Sequence, residues 1–264
     1  MRAPYISIII PTYKRPEMLD RALRSVYDQT FQDYEVIIII DGGVENYKAA
    51  ELNKNSKVKV IINESNKGVS ESRNIGIKNA LGKYIAFLDD DDEYTSDFLA
   101  KTYKVISTCS EEVGLSWCNV KHVYSNHENG KVNISYKYTK YENNHNSKSQ
   151  LFEDFITIGL GFGVVIKLEC FNKIGLFNSD LKLVDDTDLF LRIINLGYMP
   201  IVIPNAQVIV HHHDVNRLTG YTYNDKRIME TKLLLKKYKN LFNEYKTLKI
   251  NLEKYIEHLE LKTG

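Results

Sequence analysis

The sequence predicts an α/β protein whose core is a doubly wound, mostly parallel β-sheet. Short runs of Ile and Val recur between residues 6 and 119 without the polar alternation of a half-exposed strand, the pattern of strands covered on both faces. Segments with apolar residues at helical spacing separate them, as repeated βα units require. Such sheets bind ligands outside the carboxyl ends of their strands, so the residues that follow each apolar run become the candidates for a site.

The strands predicted in order are Ile6 to Ile10, Glu35 to Ile40, Val58 to Ile62, Tyr84 to Leu88 and Gly114 to Cys118. Helices are predicted over Pro16 to Gln29 and Ser70 to Gly82, with Pro16 where a helix can begin and Gly82 where one can stop. After Asp92, Thr95 and Ser96 are expected to cap a further helix, with Asp97 in its first turn. Lys121 to Gln150 is polar and Asn-rich; Asn126 to Lys131 reads as a turn between two strands, followed by a mobile loop. Leu151 to Val210 is compact again, with glycines at 159, 161 and 163 and a helical DLFLRII segment that puts Asp185 and Asp186 at its N-terminus.

Composition narrows the class. An apolar fraction of 43% is that of a folded globular chain, and a formal net charge of +1 gives no argument for nucleic acid. Cys109, Cys118 and Cys170 form neither a disulfide framework nor a zinc pattern, which points to a reduced, cytoplasmic setting. The first apolar run is too short for a signal peptide or a membrane span, and no later segment reaches spanning length.

The most unusual stretch is YIAFLDDDDE, residues 84 to 93. Two unit charges about 4 Å apart repel by roughly 4 kcal/mol at an effective dielectric near 20, so such a run at the end of a buried strand needs a compensating partner. A solvated acidic loop is the plain alternative; a divalent cation held by hard oxygen ligands is the sharper one. Pro11 to Tyr13 and Asp41 follow other strands, and the topology gathers them along the same sheet edge. Asp185 and Asp186 at a helix N-terminus are favoured by the helix dipole, so one of them can serve only as a cap.

Taken together, SIIIPTYKR, VIIIIDGG, NKGVSESRNIGIKNALGKYIAFLDDDDE and NKIGLFNSDLKLVDDTDLFLRIINLGY resemble glycosyltransferase family 2, in family order across roughly residues 6 to 198. The resemblance implies a GT-A fold and an inverting, metal-dependent transfer from a nucleotide-diphospho-sugar, UDP-linked, to a hydroxyl of a glycan or lipid-linked glycan, with bacterial surface polysaccharide as the expected pathway. It implies that Pro11, Thr12, Tyr13, Arg15 and Asp41 line the base pocket and that Asn66, Lys67, Gly68 and Arg73 meet the nucleotide or its diphosphate, Arg73 with a salt bridge to the acidic run as its alternative. Gly42, Gly43 and Val44 depart from the family's Asp-Asp-Gly-Ser pattern. The acidic run matches the family's Asp-x-Asp motif. Asp91 is then the direct ligand of Mn²⁺ or Mg²⁺, Asp89 or Asp90 holds the ribose and helps orient the metal, and Asp92 and Glu93 lie behind them or in solvent. Four consecutive aspartates leave registers one residue apart. Asp186 is the implied base, with Asp185 in place of the family's Glu. Asp188 is expected to pair with Arg192 at i+4. Of three adjacent histidines, His211 and His213 share one side of an extended strand and His212 takes the other; the metal assignment falls on His213.

The expected division is a glycosyltransferase domain over residues 1–220, with a nucleotide-sugar half to 119 and an acceptor half from 120, and a helical extension over 221–264. In the extension Tyr238, Leu241, Tyr245, Leu248, Leu252, Tyr255 and Leu259 recur as a heptad seam on one long helix. Packing onto the domain, pairing into a homo-oligomer and peripheral contact with the inner face of a membrane all suit it, the last least. Two rivals to the whole reading are a sugar nucleotidyltransferase, for which PTYKRPEML is a poor activation loop, and a non-catalytic nucleotide-sugar or glycan binding module.

Overall fold

A computed structural model of the chain describes residues 2–43, 47, 49–128, 131–142, 145, 147–156, 158–212 and 223–262, the side chains of 50, 126–128, 131–133, 153 and 156 excepted. The first half runs β1 (Ile6–Thr12), α1 (Pro16–Tyr27), β2 (Tyr34–Asp41), α2 (Ala49–Leu52), β3 (Val58–Asn63), α3 (Val69–Asn79), β4 (Tyr84–Phe87), β5 (Glu93–Tyr94) and α4 (Phe98–Ile106). The second runs β6 (Val113–Glu128), β7 (Lys131–Thr139), α5 (Lys148–Ile156), β8 (Val165–Lys167), α6 (Leu168–Ile174), α7 (Asp185–Asn195), β9 (Met199–His212), α8 (Asn224–Lys237), α9 (Lys239–Glu244) and α10 (Lys246–Glu260).

The strands form one sheet in the order β3-β2-β1-β4-β8-β6-β9-β5, with β7 paired to β6. β1, β2, β3 and β4 are parallel to their neighbours within that set. Beyond them the pairing is mixed: β8 is antiparallel to β4 and β6, and β9 is parallel to β6. The unbroken isoleucine runs have the cause the sequence suggested. Ile9, Ile37 and Ile39 belong to one buried cluster, while Ile6, Ile8, Ile10, Ile38 and Ile40 belong to a second, where they meet Leu19, Leu23 and Val26 of α1. Each such side chain contributes on the order of 1.5–3 kcal/mol by leaving water.

Several boundaries move. The GLSWC strand continues as β6 into a long hairpin with β7. The two short strands β5 and β8 have no clear signature in the sequence, since two or three residues are too few for a period to declare itself. β9 passes through Pro204 because the ladder with β6 slips there, from Cys118↔Ile203 to Asn119↔Gln207. α4 begins after Asp97 without a side-chain cap, and the Thr95 hydroxyl donates instead to the Gln207 carbonyl of β9 at 2.8 Å.

The C-terminal segment is the largest correction. It is three helices rather than one, broken where Tyr238 and Tyr245 leave helical geometry. Both breaks coincide with tertiary contacts that outweigh local propensity. The Tyr238 hydroxyl donates to Asp188 at 2.7 Å, and the Tyr245 ring packs edge-on against Phe152 at 5.1 Å. Leu241, Leu248 and Leu252 join the same buried cluster as Trp117 and Phe190, so most of the heptad seam is covered by the chain's own body. Tyr255 leaves the seam, at 40% exposure, and Ile256 takes the buried place beside it. No helix among the described residues is long and apolar enough to cross a membrane.

Candidate active site

The acidic run is a tight turn between β4 and β5, closed by the Asp92 amide donating to the Asp89 carbonyl at 3.1 Å. A turn splays consecutive side chains, and each carboxylate here finds a partner. Asp90 points back to β1, where the Thr12 hydroxyl donates to it at 2.7 Å and the Arg15 guanidinium stands at 2.6 Å. Arg15 also reaches Asp91 at 3.0 Å. Asp89 accepts from Arg73 of α3 at 2.9 Å. Asp92 accepts from the His211 amide of β9 at 2.9 Å, and Glu93 pairs with the His211 ring at 2.6 Å. The mutual repulsion of the run is therefore offset by arginines from two helix-leading segments and by a backbone amide. Burial pushes the Asp90 carboxyl up to about 7 against the opposing pull of Arg15, whereas Glu93 is held low, first by its bond to His211.

Asp90 is 1% exposed and committed to Thr12 and Arg15, a placement suited to orienting rather than to ligating. Oxygens of Asp89, Asp91 and Asp92 face one another instead, all within 4.8 Å. Two opposed Mg–O bonds span about 4.2 Å, so small side-chain rotations bring these hard oxygens onto one divalent ion, and the donor set fits. Asp92 is not in solvent: at 4% exposure it joins this group. The spot is roomy only because residue 161 is glycine. A Cβ there would stand 3.2 Å from Asp92 Oδ2 and 3.3 Å from Asp89 Oδ2.

The ends of β1 and β2 form the adjoining wall. Tyr47, which the sequence reading passed over, donates its hydroxyl to Thr12 at 2.8 Å and accepts from the Arg15 amide at 2.9 Å. Nothing in the surrounding residues marks it. Asp41 accepts from the Asn63 side chain at 2.8 Å and from the amides of Lys67 and Gly68 at 2.9 and 2.8 Å, so it holds the 66–68 loop against β2. The Gly42 departure has a backbone reason as well: its φ of 83° lies in the left-handed region, and a Cβ would press to 3.0 Å from the Asn66 amide. Pro11, Thr12, Tyr13, Arg15, Asp41, Asn66 and Gly68 all line the same cleft, about 1330 Å³ in volume. Lys67 contributes its amide to Asp41.

Across the cleft, α7 opens with Asp185 and Asp186 in its first turn. Asp185 accepts from Ser70 at 2.8 Å and lies 3.6 Å from Arg73, so one buried guanidinium joins the acid run to this pair. Burial raises the Asp185 carboxyl, with Arg73 opposing. Burial and the neighbouring Asp185 push Asp186 up to about 7. The Thr187 amide donates to Asp186 Oδ1 at 2.7 Å, and Oδ2 stands 3.8 Å from where a Cβ on Gly159 would be. Asp188 pairs with Arg192 at 2.9 Å as the i+4 spacing predicted, and also with Lys237 and Tyr238 of the C-terminal helices, each at 2.7 Å.

Of the histidines, His212 lines the cleft, stacks on Tyr124 at 4.2 Å and sits 2.9 Å from His122. His122 was not anticipated, although the β6–β9 register that pairs Tyr124 with His212 brings it there. His211 faces Glu93. His213, like Val44, lies outside the described residues.

The chain is similar to known proteins. An uncharacterized glycosyltransferase of Haemophilus influenzae is 30% identical over 193 residues, 72% of this chain and 62% of its own length, so this chain spans about three fifths of that relative. A mannosyltransferase from Pyrobaculum calidifontis, solved with GDP-Man and Mn²⁺, superposes with a TM-score of 0.68 at 16% identity, over 99% of this chain and 74% of that one. S. aureus TarS 1-349 with UDP-GlcNAc superposes at 0.62 and 16% identity, over 88% of this chain and 66% of that one. These likenesses identify the GT-A fold. The family described as Glycosyl transferase family 2 matches residues 7–167, and with most of the strand-end residues of the cleft inside that span, the chain belongs to that family.

Proposed function

We propose that the chain is a metal-dependent, inverting glycosyltransferase that moves a sugar from a nucleotide-diphospho-sugar, UDP-linked, to a hydroxyl of a glycan or lipid-linked glycan in bacterial surface polysaccharide synthesis. One observation carries the reading: buried Arg73 touches both Asp89 of the cation-binding group and Asp185 beside the base, within one cleft. A donor's diphosphate and an acceptor's hydroxyl thus have adjoining sites. We also take residues 1–220 as the catalytic domain and 221–264 as its helical extension.

When bound, Mn²⁺ or Mg²⁺ on Asp91, Asp89 and Asp92 supplies Lewis acidity toward the departing diphosphate. The chain's own groups do the rest. Arg73 and Arg15 are the cations beside that end of the cleft, and Tyr13, Asp41 and Asn66 border the base. Asp186 Oδ2 takes the acceptor's hydroxyl proton as its oxygen bonds to the anomeric carbon from the face opposite the diphosphate. The carbon–oxygen bond to the diphosphate breaks, and its electron pair leaves with the nucleoside diphosphate. The Thr187 amide fixes Oδ1 and so aims Oδ2. A carboxyl raised to about 7 is a stronger base than an ordinary aspartate yet still ionised near neutral pH.

The test is a panel of UDP-sugars with Mn²⁺, followed by nucleoside diphosphate release; GDP-mannose joins the panel because the Pyrobaculum protein holds it. The expected outcome is turnover of one or two UDP-sugars. A protein that binds UDP with Mn²⁺ but consumes no sugar donor would instead be a binding module.

A further inference from the structure

The C-terminal helices lie outside the residues matched to the family, yet they wall the cleft at the end that holds Asp186. On α10 and the turn after it, Asn251, Tyr255, His258 and Lys262 recur at steps of four, three and four, a single helical face turned to the cleft. The adjoining face, with Leu248, Leu252, Ile256 and Leu259, is buried. On α8, Asn224, Arg227 and Thr231 line the cleft although each is less than a tenth exposed. Asp186, Arg227 and Tyr255 all line the cleft; burial raises the pKa of the Tyr255 phenol, Arg227 pulls it down and Asp186 pushes it up. Asn224 is 2% exposed, and its Nδ2 has no hydrogen-bond partner among the described residues. A buried amide left in that condition is destabilising, and a ligand's oxygen would satisfy it.

Basic side chains gather on this wall: Lys182, Arg227 and Lys262 line it together with His258, and Asp185 and Asp186 line the cleft beside them. We propose that α8 and α10 build the acceptor subsite, and that it takes a sugar carrying an anionic substituent, a carboxylate or a phosphate. The Tyr255 ring supplies a flat face for the sugar. Arg227, His258 and Lys262 meet the anion, and Asn224 and Asn251 bond to ring hydroxyls. The assignment rests on the glycosyltransferase reading, because the acceptor's hydroxyl must reach Asp186.

The experiment is calorimetric titration of the full chain. UDP with Mn²⁺ is titrated first; the UDP-saturated protein is then titrated with methyl glycosides of glucose and galactose, the matching uronides and the matching 6-phosphates. Saturating UDP keeps the phosphates out of the donor end. At least one anionic sugar is expected to bind tenfold or more tightly than its neutral counterpart, the uronide and phosphate arms telling which anion is read. Lys262→Gln, on an exposed face and tolerable to the fold, should narrow that ratio to threefold or less, whereas Tyr255→Ala, on the same face, should weaken neutral and anionic sugars alike by tenfold or more. A protein that binds UDP but treats neutral and anionic sugars alike, or keeps the preference in Lys262→Gln and the parent affinity in Tyr255→Ala, loses the anionic subsite alone. A protein that fails to bind UDP in the first titration loses the glycosyltransferase reading and the subsite with it.

Discussion

The two ends of the cleft are built by different means. The end proposed for the donor is made of strand termini: Thr12, Asp41 and Asp89 each sit at or just past the last residue of a buried parallel strand, and the register of β1 with β2 and β4 brings them side by side. The far end is made of helix faces, with Asp186 on α7, Arg227 on α8 and Tyr255 on α10. Strand termini are fixed by a ladder of backbone bonds and change little when a side chain is replaced. Helix faces are fixed by packing, so the far end depends on distant core residues. Loops and helices carried by a rigid sheet are where binding preferences vary.

That contrast can be broken or sharpened by experiment, beginning with the largest effect. Chelation with EDTA should abolish turnover and Mn²⁺ should restore it; turnover that survives chelation would remove the cation from the donor end. Asp186→Asn should cut the transfer rate by about 10²–10⁴ while UDP titrates as in the parent chain, separating the two ends functionally. Leu248→Ala, on α10 and outside the strands that carry the other end of the cleft, tests the packing claim. Leu248 is fully buried, so its truncation should cost about 2–5 kcal/mol of whole-chain stability in a single unfolding transition. A separate, earlier melting of the C-terminal helices would show them to be an independent unit.

The pH profile is expected to move by less. In the proposed mechanism Asp186 acts when deprotonated, and its carboxyl is raised to about 7, so the rate should fall about tenfold per pH unit below that value and level off above it. Asp185→Asn removes the neighbouring charge that helps raise it, and the midpoint should shift to lower pH; an unmoved midpoint would assign the titration elsewhere. The smallest effect belongs to Gly161→Ala. Its Cβ would crowd two carboxylate oxygens at 3.2 and 3.3 Å, and a loss of Mn²⁺ affinity of about tenfold, the lower end for a group that supports metal ligands, should appear with UDP affinity at low metal following it.

What could be read in advance follows the same division. The parallel strands, the acid run at a strand end and the Asp185–Asp186 pair at a helix start each leave a local mark, because burial on both faces forbids polar alternation and a helix dipole selects its first turn. Tyr47, Asn63 and His122 left none. Each acts through hydrogen bonds to residues distant in sequence, and no spacing encodes that. The heptad seam misled for a related reason. The 3.5-residue period states only that one face is apolar, and Phe152 and Asp188, far away in sequence, decided where the helix breaks and that Tyr255 turns to the cleft.

The sequence by itself determined which segments are strands, that charge concentrates where they end, and which acids are candidates for metal and base, since these depend on neighbours within a turn or two. Only the tertiary structure decided that Asp90 is committed to Thr12 and Arg15 while Asp92 joins Asp89 and Asp91 in a group that could hold a cation, and that the last helices face Asp186. Those outcomes turn on which distant groups share a few ångströms of space, where a single hydrogen bond or a missing Cβ outweighs any local preference.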